Sequence, residues 1–151
     1  DELFFSSERL LVREITNPQI IACIVNKKYI NDPQLINIIY KEVKTLSLKV
    51  LWAILNSSLA TFYHFNHSPK ATKGAFPKIL IADLKNFPLP EISEKAKTDL
   101  EKMVDEIAVE KEANNQKRVE ELDEKIDNFV LKLYHITDNN EIEMIKSSIK
   151  I

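Results

Sequence analysis

Glycine is almost absent from this chain, since Gly74 is the only one among 151 residues. Phosphate-binding loops and dinucleotide fingerprints need several glycines, because a Cβ would hold the backbone away from the phosphate. Sites for S-adenosylmethionine likewise open on a glycine-bearing turn. We therefore expect no nucleotide-type cofactor to bind within this chain.

Cysteine is equally scarce. The single cysteine, Cys23, excludes an internal disulfide and most metal clusters, and it favours a reducing, cytoplasmic setting. It stands in an apolar run, so we expect a small core residue. No apolar run reaches the roughly eighteen residues of a membrane span, so no membrane contact is expected. The chain starts at Asp1 and soon enters the apolar run Leu3-Phe4-Phe5, so we interpret it as a piece cut from a larger protein rather than a secreted precursor.

The sequence contains no complete motif of catalytic residues. His64 and His67 lack a third metal ligand at a defined spacing, and proline is never doubled, as the active-site turn of amino-methyltransferases requires. Asp32 followed by Glu42-Val43-Lys44 has the spacing of a metal-dependent nuclease, in which carboxylates bind a cation and lysine orients water. No further acidic residue can be placed beside them. The nuclease stays an alternative, and we expect no catalysis by this chain alone.

Charge divides the chain into two halves. Residues 1–90 hold eleven Lys/Arg and seven Asp/Glu, a net charge of +4, whereas residues 91–151 hold ten and sixteen, a net charge of −6. A basic half can face nucleic acid, because neutralised phosphates release their counterions. The acidic half would be repelled and should point elsewhere.

The residue pattern of the first half predicts three strands and one helix. Strands are predicted at 10–16, 19–25 and 35–40, and their short connections favour an antiparallel meander. Residues 19–25 are apolar at both alternating positions, which predicts a strand covered on both faces. Ser47 is a candidate N-cap for an amphipathic helix over 47–64. Residues 79–90 are predicted as a short strand, a turn and an extended exit.

The residue pattern of the second half predicts helices. Ser93 can cap a helix to about residue 112, and a second helix extends to Leu133. Residues 113–117 interrupt the apolar stripe but do not forbid helix, so a hairpin and one continuous helix both remain open. Asp138 and Glu141 indicate a capping box before a last short helix. The expected fold class is α+β: a small antiparallel or mixed sheet with one packed helix, then a helical hairpin or long helix.

The order of these segments is distinctive. It runs LLVREI, ACIVNKKYIND, LINIIY, LKVLWAILNSSLATFYHF, KGAFPKILIADLKNFPLP and KIDNFVLKLYHITDNNEIEMI. This order resembles the TaqI-like C-terminal specificity domain of adenine-specific methyltransferases and fused type II restriction-modification enzymes, and the resemblance spans nearly the whole chain. The most specific pieces are LNSSLATFY, FPKILIADLKNFPLP and IDNFVLKLYHIT. The family tends to have a glycine where His135 stands.

The resemblance implies a module for sequence-specific recognition of duplex DNA. Residues 1–90 would be the target-recognition domain, and residues 91–151 would pack on the protein's own N-terminal methyltransferase domain or on a methyltransferase subunit. S-adenosylmethionine, with magnesium if the larger protein also cleaves DNA, would be bound outside this chain. The alternatives are a specificity-subunit domain of a multi-subunit restriction system and a helical interaction domain without a nucleic-acid role.

The candidate DNA contacts fall on loops of the basic half. The polar loop 66–78 combines lysines, a histidine and a glycine, a composition suited to a phosphate backbone. Arg13, Asn31 and Asn66 have side chains that match guanine or adenine edges. Lys27, Lys28 and Tyr29 lie in a second basic turn. The predicted DNA-binding residues are Arg13, Lys27, Lys28, Tyr29, Asn31, Asn66, His67, Lys70, Lys73 and Lys78.

Overall fold

The computed structural model describes residues 5, 7–16, 19–28, 30–39, 46–71 and 77–149. Within these residues lie three strands and six helices, which confirms the α+β class. The strands are β1 (Arg9–Arg13), β2 (Ala22–Val25) and β3 (Leu35–Ile38). The helices are α1 (Leu48–Leu55), α2 (Ser58–His67), α3 (Ile81–Lys85), α4 (Glu94–Glu112), α5 (Gln116–Leu133) and α6 (Asn139–Ser147).

Strand β1 is the centre of the sheet. The strand order is β2-β1-β3, and both neighbours pair with β1 in the antiparallel sense. The predicted meander is therefore wrong, because the chain leaves β2 and crosses to the far side of β1 before it forms β3. Short polar connections favour pairing between strands that are consecutive in sequence. Here β1 is buried, and it has a hydrogen-bonded strand on each side.

The strand covered on both faces is β1 rather than β2. Leu10, Leu11 and Val12 point alternately to opposite faces, and all three are buried. β2 is an edge strand, and its Cys23 is exposed. The prediction that Cys23 is a core residue is therefore wrong, because an apolar sequence cannot distinguish an edge strand from a central one.

The predicted helix over 47–64 is two helices. Ser47 caps α1 as expected, since its side chain accepts from the backbone N–H of Val50. The chain then breaks at Asn56, whose side-chain amide bonds to both backbone groups of Ala22 in β2, at 3.0 and 3.1 Å. Ser57 starts α2 by accepting from the N–H of Ala60. These bonds provide partners for backbone groups at the start of α2 and on the edge strand β2.

Helix α1 lies between the sheet and the helical hairpin. Leu48 and Leu55 join the cluster formed with the strands, while Val50 and Ile54 join the cluster formed with α4 and α5. Residues from both sides of position 90 therefore share one core. The buried residues of the second cluster are Val50, Ala53, Ile54, Leu100, Val104, Ile107, Val119, Leu122, Ile126 and Val130.

Helices α4 and α5 form a hairpin, which decides between the two predicted alternatives. Ser93 caps α4 as expected. Asn114 takes a left-handed conformation with φ of 54°, and its N–H bonds to the carbonyl of Lys111. The N–H of Asn115 bonds to the carbonyl of Glu110, which completes a Schellman turn. Asparagine tolerates this conformation better than most residues, so 113–117 can reverse the chain without glycine.

The segment 79–90 differs from its prediction. Instead of a short strand it forms the helix α3, whose first turn is closed by Asp83 accepting from the N–H of Leu80 at 2.8 Å. An isolated bridge joins Lys78, just before this segment, to Ile15. Residues 87–90 belong to no helix or strand, and the Tyr134 hydroxyl donates to the carbonyl of Pro88 at 2.7 Å.

His135 takes the position that glycine occupies in a Schellman turn. Its φ is 61°, and the N–H groups of His135 and Ile136 bond to the carbonyls of Lys132 and Leu131. A β-carbon in this conformation costs roughly 1–2 kcal/mol. The turn at the end of α5 therefore forms without a glycine at its left-handed position.

His135→Gly should raise the free energy of unfolding by about 1 kcal/mol, because it removes the steric cost of the left-handed conformation. Urea denaturation measures the change. Lys132→Gly is the matched control, since a glycine inside the last turn of α5 should lower stability by about 1 kcal/mol. Destabilisation by both substitutions would contradict the steric argument.

Candidate nucleic-acid interface

Backbone contacts connect three of the predicted basic residues where β1 ends. Arg13 closes the strand, and its Nε donates to the carbonyl of Ile15 at 2.8 Å. Ile15 pairs with Lys78, and the N–H of Lys78 donates to the carbonyl of Lys70 at 3.3 Å. We call this region, defined by Arg13, Lys70 and Lys78, the Arg13 end of the sheet.

Asn31 lies at the same end. Its amide Nδ2 contacts the carbonyl of Leu35 at 3.4 Å, and Leu35 is the register partner of Arg13. The Oδ1 atom of Asn31 is buried, and no residue in the described part of the chain forms a hydrogen bond with it. Because buried carbonyl oxygens normally accept a hydrogen bond, this side chain is a candidate acceptor beside the basic residues.

Asn66 and His67 end helix α2, just before the turn at 68–71 that carries Lys70. Asn66 donates to the carbonyl of Phe62 at 2.7 Å, and His67 bonds through Nδ1 to the carbonyl of Tyr63 at 2.9 Å. Both side chains are exposed, but these bonds engage part of their hydrogen-bonding capacity at the helix end.

Lys27 and Lys28 lie at the opposite end of β1. Both are exposed, and the carbonyl of Lys27 accepts from the Nη1 of buried Arg9 at 3.1 Å. Tyr29 and Lys73 lie outside the described residues. The structure therefore divides the described candidates between two ends of the sheet instead of joining them in one patch.

The lysines of the Arg13 end differ in their surroundings. Lys78 Nζ lies 3.0 Å from Glu14 Oε1, so an adjacent carboxylate compensates its charge. Lys70 is exposed in the turn after α2. Since the partner of Lys78 lies 64 positions away in sequence, only the folded structure distinguishes the two lysines.

Sequence analysis missed a cavity of about 210 Å³ behind the end of α2. We call it the His64 cavity; it is lined by Tyr63, His64, His67, Ser68, Ile79, Ala82, Asp83, Asn86 and Phe87. His64 is only 3% exposed. Its spacing of three and four from Thr61 and Ala60 was the available signal, because such residues share one helix face.

The nuclease alternative gains no support from Asp32. Its Oδ1 accepts from the N–H of Gln34 at 2.8 Å, which is the role of an aspartate in a turn. Glu42, Val43 and Lys44 lie outside the described residues. In the part of the chain that the structure describes, no three His, Cys, Asp or Glu side chains are grouped as metal ligands.

The helices were also compared with the requirements of a membrane span. Over residues 5–149, apart from the short stretches left undescribed, no helix combines the length and the apolar character needed to cross a bilayer.

His64 should make stability depend on pH. Burial lowers its pKa below the ordinary 6.5, against smaller opposing effects of Asp83 and a backbone hydrogen bond with Lys78. Below that ordinary value the unfolded chain binds a proton that the folded chain does not, so acid favours unfolding. The free energy of unfolding should fall as pH drops from 6.5 and level off below the folded pKa.

Denaturation at about pH 7.5 and about pH 5.5 measures this effect. His64→Gln should show a smaller loss of stability between the two conditions, because an amide does not titrate. His67 and His135 are retained in both proteins and act as internal controls. Equal losses in the two proteins would show that His64 does not carry the dependence.

Comparison with known proteins gave one result, a match to a protein family. A family model of the TaqI-like C-terminal specificity domain matches residues 1–89. Searches of curated proteins and of solved structures gave no match. The match ends before α4, so it covers less than the nearly whole chain predicted from sequence, and the piece IDNFVLKLYHIT lies outside it. Because the match covers more than half of the 151 residues, the chain belongs to the family of TaqI-like C-terminal specificity domains.

Proposed function

We propose that this chain recognises a specific sequence in duplex DNA on behalf of an adenine-specific methyltransferase. Membership of a specificity-domain family is the observation that carries the proposal. Transfer of the methyl group from S-adenosylmethionine would occur on a catalytic domain or subunit outside these residues. The contribution of this chain is to position DNA, not to react with it.

The Arg13 end of the sheet is the surface that best fits DNA. It places Arg13, Asn31 and Lys70 on a scaffold whose central strand is buried. Recognition needs such rigid support, because base edges are read by side chains held at fixed positions. Lysine suits phosphate as a mobile point charge, so Lys70 would set the position of the duplex while Arg13 and Asn31 face the bases.

The hairpin of α4 and α5 suits a protein partner better than DNA. The 91–151 segment carries a net charge of −6, and exposed acidic residues such as Glu120 and Glu124 lie along α5. DNA would be repelled from this surface. The methyltransferase domain or subunit would therefore contact the hairpin side, with DNA at the Arg13 end.

Salt-dependent binding tests the DNA surface. Fluorescence anisotropy of the chain with a random-sequence duplex, from about 50 to about 200 mM salt, gives the slope of log affinity against log salt. Lys70→Ala should flatten that slope by about 0.9, because one phosphate contact is lost. Unfolding free energies should change by less than about 0.5 kcal/mol, since the side chain is exposed.

Lys102→Ala is the matched control, because Lys102 is an exposed lysine on α4. It should leave the slope unchanged. Lys28→Ala tests the opposite end of β1 in the same assay. A flattened slope for Lys28→Ala alone would move the DNA surface to that end, and a wild-type chain without affinity for DNA at low salt would refute the proposal.

A further inference from the structure

The His64 cavity has aromatic walls. The rings of Tyr63 and His67 are stacked, with centroids 4.0 Å apart and planes 16° from parallel. Phe87 meets Tyr63 edge-on, at 5.2 Å and 74°. At about 210 Å³ the space is smaller than the ~300 Å³ at which pockets for drug-sized ligands begin. Its size and walls suit one flat aromatic ring system.

The imidazole of His64 supplies an unused polar atom in the wall of this cavity. Its Nε2 is buried and has no hydrogen-bond partner among the residues that the structure describes, which is rare for a buried polar atom. A neutral imidazole has one donor and one acceptor nitrogen, so Nε2 can accept a hydrogen bond in one of the two tautomers of the ring.

The cavity adjoins the turn assigned to phosphate contact. Ser68 lines the cavity, and its Oγ donates to Asp83 and accepts from the N–H of Lys70, at 3.1 and 3.4 Å. A DNA strand held by Lys70 would therefore pass beside the cavity. A base turned out of the stack there exposes a flat ring with N–H donors.

We propose that the His64 cavity binds a single unstacked nucleobase that carries an exocyclic amino group. The base lies against the Tyr63 and Phe87 rings, and its amino group donates to His64 Nε2. That nitrogen is buried, so the imidazole turns about its Cβ–Cγ bond to meet the ligand. DNA as the source of the base rests on the proposed function, whereas binding of the base itself does not.

Two nucleosides test the hydrogen bond. The chain is titrated with adenosine and with N6,N6-dimethyladenosine, which lacks the N–H donors of the base, while NMR follows the imidazole nitrogens of His64. Adenosine should shift Nε2 and saturate, and the dimethyl analogue should bind at least about fivefold more weakly. Equal affinities, or no shift at His64, would overturn the proposal.

Two variants on one helix test the stacking. Tyr63→Leu should weaken adenosine binding about fivefold or more, because a base–aromatic contact is lost. Phe62→Leu is the matched control, since Phe62 is a half-buried aromatic residue of α2 outside the cavity. Equal weakening by both would refute the site.

A duplex with one unpaired, bulged adenine connects the cavity to DNA. The wild-type chain should prefer it to a fully paired duplex, and Tyr63→Leu should abolish the preference. Lys70→Ala should weaken both duplexes by a similar factor. Binding of paired DNA without any affinity for adenosine would refute the nucleobase site and leave the proposed function intact, whereas adenosine binding without DNA binding would refute the function alone.

Discussion

Helix α1 must be covered on both sides, and the rest of the structure depends on that constraint. Five of its eight residues are buried: Leu48, Val50, Ala53, Ile54 and Leu55. A single layer can cover only one stripe of a helix. Each large apolar side chain that is fully buried stabilises the fold by ~1.5–3 kcal/mol, so sheet and hairpin are both held by their packing on α1.

Helix α2, which starts at the break after α1, connects the hairpin to the candidate DNA surface. Asp127 of α5 accepts from the backbone N–H and the hydroxyl of Ser58, at 2.7 and 2.9 Å. Lys146 of α6 lies 3.6 Å from the same carboxylate. Because charge-assisted bonds to a half-buried carboxylate are strong, the start of α2 is fixed to the hairpin. Its other end carries His67 and leads to Lys70, so the helical segment helps to orient the proposed DNA contacts.

Local signals predicted where α1, α4 and α6 begin, because the determinants of a helix cap lie within a few residues of each other. Ser47, Ser93 and Asp138 cap the helices that they were expected to cap. The apolar spacing of α4 and α5 likewise marks the faces that are buried.

Features that depend on distant partners could not be predicted. The break at Asn56 follows from bonds to Ala22, 34 positions earlier. The central place of β1 and the exposure of Cys23 depend on strand order, which no short pattern encodes. At the candidate site, residue types were predictable, but the separation of Lys28 from Lys70 and the compensation of Lys78 by Glu14 required the fold.

The shared position of α1 also constrains how the chain folds during synthesis. The strands and α1 leave the ribosome before the hairpin, whose residues that cover Val50 and Ile54 follow more than forty positions later. Until α5 is complete, the nascent chain exposes this apolar surface, which is the kind of surface on which partly folded chains aggregate. The hairpin itself is joined by a tight turn and needs only local contacts, so it can form rapidly. Its docking onto α1 is therefore the step that ends the vulnerable period.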